Sequence, residues 1–392
     1  MATDTQLWPF GGAGDVYWQA AWLTDVLQPN AGLAQHRRLR EHPRLRVGFD
    51  GLLSAGARRW LENLLERNGG RLWRVPLPGV GFSLAAAAPA GAITLAGEAA
   101  GTFVSAGTPV ALVPEDPRKA EIVEVAAVLG DAITLVNGTA NAHGAGTQVL
   151  PLFTGRMAAV PAIARFTGDS APWRAEFDLE DPLPIAADAG STLYRGWPVL
   201  ELPVDWSVDP TWQPQRDLLR VDNETASPVV ADLLAQSRPI IHWQHSAVGP
   251  TEVARLLALL WALAGRGMPI WVHTRAQDLI LSANAGAAAT TLDVEWAGLG
   301  TGPRPPGRRD LRIELRNGAI VRRRVTAVAA PSASIERLTL DAALGVAVTP
   351  ADVAQISWMA LCTQSADVVR INWWRHDVAT VELDFQAVPH EH

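Results

Sequence analysis

Residues 44–78 read RLRVGFDG (44–51), SAGARRWLENLLERNGG (54–70) and RLWRVPLP (71–78), and residues 238–274 read RPIIHWQHSAVG (238–249), PTEVARLLALLWALAGRG (250–267) and MPIWVHT (268–274). Each stretch gives a strand, a helix, a glycine stop and a strand that carries a tryptophan, and Trp73 and Trp271 stand 198 positions apart. In the first helix, expected over 54–68, Ala57, Trp60, Leu61, Leu64 and Leu65 make one apolar stripe opposite Arg58, Arg59, Glu62, Asn63 and Glu66. Gly69 and Gly70 end it. The second helix is expected over 251–264, after Pro250 and with Thr251 as N-cap. Its apolar residues Val253, Leu256, Leu257, Leu259, Leu260, Trp261 and Leu263 cover nearly the whole circumference, so it should be the more buried of the two.

Working outward, the recurrence continues in order. EIVEVAAVLGDAITLV (121–136) answers RRVTAVAAPSASIERLTL (323–340), GAGTQVLPLF (144–153) answers TPADVAQISWMA (349–360), and WRAEFDLEDP (173–182) answers VATVELDFQAVP (378–389). Short apolar runs such as Ile133–Leu135 and Leu311–Leu315 have strand length, with turns at Gly130-Asp131 and Asn317-Gly318. The fold class expected is mainly β with one helix per repeat, a tandem duplication of a β-domain, each copy holding a small inserted β-barrel at about 83–156 and 279–364. The division is an N-terminal arm (1–29), repeat one (30–184), a Pro-rich connector (185–215) and repeat two (216–392). Pro198, Pro203, Pro210 and Pro214 favour an extended surface path for the connector.

Composition removes several classes of chemistry. The formal charge of −7 argues against a molecule-wide phosphate-clamping surface. Cys362 is the one cysteine, so neither an intrachain disulfide nor a four-cysteine zinc site can form. Only Lys119 is lysine among 33 basic residues, and it sits in the charged turn EDPRKAE with no GxxxxGK before it. No apolar run approaches the roughly 20 residues of a membrane span, and the start MATDTQLWPF lacks the order of a signal peptide. Manufacture in the cytoplasm, without membrane insertion, is the expectation.

Candidate catalytic constellations are thin. His242 and His245 form an H-x-x-H pair, yet on a strand that spacing turns the rings to opposite faces. His390 and His392 lie at the tail, and GGAGD (11–15) opens no helix after a strand. The acid pairs Glu115-Asp116 and Glu180-Asp181 adjoin prolines and read as solvated turns rather than a glycosidase dyad. Asn137 and Asn223 are sequons by pattern alone. The 16 tryptophans admit sugar-stacking platforms, but Trp60, Trp73, Trp261, Trp271 and Trp358 recur at core-like positions, which favours burial. No catalytic residue, metal ligand or cofactor site is assigned, and no enzymatic activity is expected.

The stretch LTDVLQPNAGLAQHRRLREHPRLRVGFDG (23–51), followed by RRWLENLLERNGGRLWRVPL (58–77), resembles the start of the distal tail and minor tail proteins of long-tailed bacteriophages and of gene transfer agents. Gly32, Gln35, Arg37, Pro43, Arg44, Gly70, Arg71 and Trp73 carry the likeness, with His36 where arginine is commoner. YRGWPVL (194–200) is similar to a segment common in such phage proteins. The resemblance covers about the first 80 residues and implies a structural virion protein of the tail tip, with tube-like β-domains packed in a ring around the DNA channel. Implied partners are the tail tube, the tape measure, tip or hub proteins, and further copies of the chain. Two domains per chain favour a trimer with pseudo-sixfold symmetry, with a true hexamer as the alternative. DNA would pass without specific binding. The rival class is a carbohydrate-binding baseplate or receptor-binding module, or a glycan hydrolase.

Overall fold

Strand Arg44–Ser54 runs directly into helix α1, Ala55–Asn68, in the computed structural model of the chain. Strand Arg238–Val248 leads in the same way, through Gly249, into helix α2, Pro250–Leu263. The structure describes residues 5–10, 15–27, 35–68, 70–161, 163, 170–224, 227–233, 237–300 and 307–388. Among these the protein is mainly β, with the two α-helices and two short 3-10 turns. The start of α2 departs from the sequence expectation. Gly249, at φ 90°, is the N-cap, and Pro250 opens the first turn in place of Thr251. Proline suits that position because its fixed φ is helical and its missing N–H would have no helical partner there.

Strand pairing in the two halves follows one plan. Strand 44–54 lies antiparallel to Ser170–Leu179, and strand 238–248 to Val378–Ala387. Trp73–Pro76 pairs with Gln148–Met157, and Ile270–His273 with Val353–Gln364. Beyond these, strand 148–157 meets Pro109–Val113, followed by Glu121–Leu129, Ala132–Leu135 and Thr94–Ala96. Strand 353–364 meets Asp310–Leu315, followed by Ile320–Ser332, Ile335–Leu340 and Thr291–Glu295.

The correspondence reaches past the boundaries drawn from sequence. Val16–Ala21 pairs with strand 44–54 and precedes the hairpin Thr24–Leu27/Gln35–Arg38. Thr211–Gln215 pairs with strand 238–248 and precedes the hairpin Leu218–Val221/Val229–Asp232. Even the first paired residues match, since Gln6 lies parallel to Trp73 and Val199 parallel to Trp271. The described residues of the stretch read as an arm are therefore integral to the fold, with Trp8 and Trp18 fully buried. Most of the connector is exposed, as an extended surface path requires, but one stretch of it turns inward. Val199, Leu200, Leu202 and Val204 are buried, and the Pro203 carbonyl accepts a hydrogen bond from His245 Nδ1 at 2.7 Å.

One large core joins the halves. Trp8 is its aromatic centre, with ring centroids 4.9 Å from Phe177, 5.5 Å from Trp173 and 5.6 Å from Trp73. α2 contributes eight buried side chains, from Val253 to Leu263, against Leu61, Leu64 and Leu65 from α1, as their apolar faces predict. Each insert has a core of its own, around Leu95, Val110 and Ile133 in the first and Leu292, Ile313 and Leu338 in the second. Host and insert share a strand in both halves. Residues 148–151 pair inside the first insert and residues 152–157 in the host sheet. Residues 353–359 pair with the second insert's strand 310–315, and residues 359–364 with host strands.

Candidate functional site

Single candidates from the sequence occupy structural positions. His242 is part-exposed and lies 2.8 Å through Nδ1 from Asp384 Oδ1 on the neighbouring strand. His245 is buried and stacks on Trp243 at 5.4 Å, with 7° between the ring planes. Burial first, over the opposing pull of its Pro203 bond, lowers its pKa from the ordinary histidine value. Asp116 caps the 3-10 turn Pro117–Lys119 and grips Arg118, while Glu180 pairs with Arg156 at 2.7 Å. Lys119 is exposed on that turn, as are Asn137 and Asn223 on theirs. Cys362 is buried, and burial pushes its thiol well above the usual range, which leaves it protonated and unreactive. Residues 11–14, Gly32, Gly69, His390 and His392 lie outside the described residues. No cluster of three or more metal-ligating side chains occurs among the described residues.

Of the tryptophans, Trp73, Trp261, Trp271 and Trp358 are buried and Trp60 is half-buried on α1, packed against Phe10 with the ring planes tilted at 51°. Trp206, Trp296 and Trp374 instead stand 66%, 61% and 70% exposed.

Two constellations were invisible to sequence reasoning because they join distant segments. The first is ionic and part-buried, formed between the connector and the second half. Glu201 takes the guanidinium groups of Arg312 and Arg322, and Arg275 donates to the carbonyl of Leu202. Tyr194 donates to Asp310 Oδ1 at 2.8 Å, and Arg324 grips the same carboxylate at 3.0 and 3.1 Å. His273 lies near this group. Its burial, reinforced by the positive charges of Arg275, Arg312 and Arg322, pushes its pKa down to about 2. A histidine held neutral, beside carboxylates already engaged by arginines, is a poor proton relay. The group's chemistry is that of a clamp fixing residues 194–204 to the second insert.

The second constellation is the seam between the halves. Strand 16–21 lies between strand 44–54 of the first half and Val368–Arg375 of the second, with Tyr17 opposite Gly48 on one side and Asn372 on the other. The hairpin that follows caps the end of α2. Arg38 Nη2 donates to the Ala262 carbonyl at 2.6 Å, and its side chain lies over Gly267 so closely that a Cβ there would come within 2.6 Å of Nε. Asp367 ties the parts together, accepting from Thr24 N at 2.7 Å and Arg266 N at 3.0 Å. Burial opposes its charge, but these hydrogen bonds outweigh it and hold the carboxyl below the ordinary value. Paired backbones, a capped helix end and a buried Trp22–Trp261 contact make this an association surface, not a reaction centre.

No known protein family matches the chain, and no curated protein matches it in sequence.

Proposed function

We propose that this protein is a structural component of a long-tailed phage tail tip, a distal tail or hub-type ring that joins the tail tube to the tip and surrounds the DNA channel. The reading takes the two halves as a tandem duplication of a tube-like β-domain, each with a small inserted barrel. One observation carries it: most strand pairings recur in the same order between residues 6–179 and 199–387, with Phe82–Ser83 particular to the first half and Val368–Arg375 to the second among the described residues, in a chain whose first 80 residues resemble tail proteins. Repeated domains joined edge to edge suit a ring, because an interface between unlike surfaces generates a ring when its rotation closes. Three chains would supply six domains, with a hexamer of chains as the alternative. The net charge of −7 suits a wall that DNA must pass without being held, since arginine contacts to phosphate release counterions and bind tightly. Tail tube, tape measure and hub proteins would be its neighbours, and the virion its location.

Electron microscopy of purified particles, with antibody against this chain, tests the reading. Label at the distal end of the tail, with a threefold or sixfold ring in averages, is expected. Particles or lysates in which the chain never accompanies tails would reject it. The exposed Trp206, Trp296 and Trp374 favour one second reading, a carbohydrate-binding module. A panel of host-surface oligosaccharides that quenches tryptophan fluorescence saturably would promote it.

A further inference from the structure

The two hairpins hold corresponding places but have unlike surroundings. In the first, Thr24 is buried and Val26 and His36 are half-buried against the end of α2. In the second, all eight paired residues are exposed. That hairpin nonetheless carries Leu218, Leu219, Val221, Val229, Val230 and Leu233, each 44–68% exposed. So much apolar surface on two strands is the mark of an interface. The strand before it is also half-partnered. Strand 16–21 has a neighbour on both sides, whereas strand 211–215 pairs on one side only among the described residues. An open strand edge beside an apolar hairpin is a ready template for another chain.

The receiving surface has the converse asymmetry. At the end of α2, Gly265 is closed in by Asp367 and Gly267 by Arg38. At the end of α1, Glu66, Arg67, Gly70 and Arg71 are exposed, and among the described residues nothing lies within 4 Å of a Cβ placed on Gly70. One half thus has an occupied helix end and the other an open one, and one hairpin is docked and the other is bare.

We propose that the chain associates with a second copy of itself head to tail. The edge strand 211–215 and hairpin 218–232 of one copy dock on the first half of the next, with the hairpin over the C-terminal end of α1. The occupant follows from the pairing plan, because the seam inside the chain already shows how one half receives the strand and hairpin of the other. Asp232 occupies the hairpin position of Arg38, each being the last residue of its second strand and opposite the first residue of the other. This deepens the ring reading and rests on it only for closure of the assembly. The contact itself rests on the seam.

The test uses the full chain. Wild-type protein in sedimentation velocity should assemble beyond a monomer, and the double variant Leu219→Asp/Val230→Asp should fall to monomer with an unchanged circular dichroism spectrum and melting temperature. Two further variants, Gly70→Cys and Asp232→Cys, read the geometry against a buried native Cys362. Mixed and treated with a short bis-maleimide, they should crosslink to each other, while neither crosslinks alone. A monomeric wild type, an unchanged mass in the hairpin variant, no crosslink in the mixture, or crosslinking of Asp232→Cys to itself would each overturn the proposal. If the crosslink forms but the chain is absent from tails, the contact stands and the tail-tip reading fails.

Discussion

Trp22, from the strand end of the first half, meets Trp261 of α2 edge to face, with ring centroids 5.5 Å apart and planes at 80°. Both rings are buried, at 4% and 7% exposure, so the two halves share this contact and cannot part without wetting it. Trp22→Ala should cost about 3–5 kcal/mol, as large-to-small core changes do. Chemical denaturation checks this, and a double-mutant cycle with Trp261→Ala should show a coupling of about 0.5–1.5 kcal/mol, the part due to ring geometry.

The helices should respond differently to substitution. Leu260 is fully buried on α2, and Leu260→Asp should abolish soluble folding because it places an unpaired carboxylate in the core. Glu62 on α1 pairs with Arg58 at 3.0 Å as a part-buried i,i+4 contact, so Glu62→Ala should cost about 1 kcal/mol or less. Soluble yield and melting temperature of both variants make the comparison.

Acid should weaken the fold in two stages. His273 stays neutral in the folded state down to about pH 2 and His245 is also lowered, while in the unfolded chain both take up protons below about 6.5. The unfolded state then binds more protons, so their contribution is complete above that pH and is lost progressively as pH falls below it. Asp367, lowered in the folded state, adds stability that is present above about 3.9 and lost as pH falls further. Both His273 ring nitrogens lack hydrogen-bond partners among the described residues, so His273→Leu removes a proton site without breaking a bond. Melting curves from pH 8 to 4 should fall less steeply for that variant than for the wild type.

Gly48 should resist enlargement. A Cβ there would come 2.1 Å from the Tyr17 ring, which lies across it in the adjacent strand. Tyr17 also donates to Glu176 at 2.5 Å, accepts from Arg174 at 2.9 Å and lies under the Arg370 guanidinium. Gly48→Ala should displace the ring and cost about 1–3 kcal/mol, the usual range for overpacking. Tyr17→Ala in the same background should recover part of the loss in melting temperature.

Local rules made the repeating strand–helix–strand units legible, because α1 has one apolar stripe, α2 has almost no polar face, and Gly130 and Gly318 punctuate the insert hairpins. VYWQAA (16–21) escaped the same rules. It lies between two strands, with four of its six residues buried and the other two half-buried, so the alternation that marks a half-exposed strand is missing. Prolines in residues 198–214 signal extension, but they say nothing about where the extended chain lies, and here His245 and Arg275 bond to its carbonyls. The seam and the Glu201–Arg312–Arg322 clamp are formed by residues more than a hundred positions apart. Only folding assembles them, and no spacing rule could announce them.

Strands 148–157 and 353–364 each serve an insert at one end and the host sheet at the other. A pull on either insert therefore travels along an unbroken backbone into the host and loads rows of ladder hydrogen bonds together, in shear, with no slack linker to stretch first. In a machine that transmits tension, each half would act as a stiff lever, so that displacement at an insert's tip arrives at the wall of the core as strain.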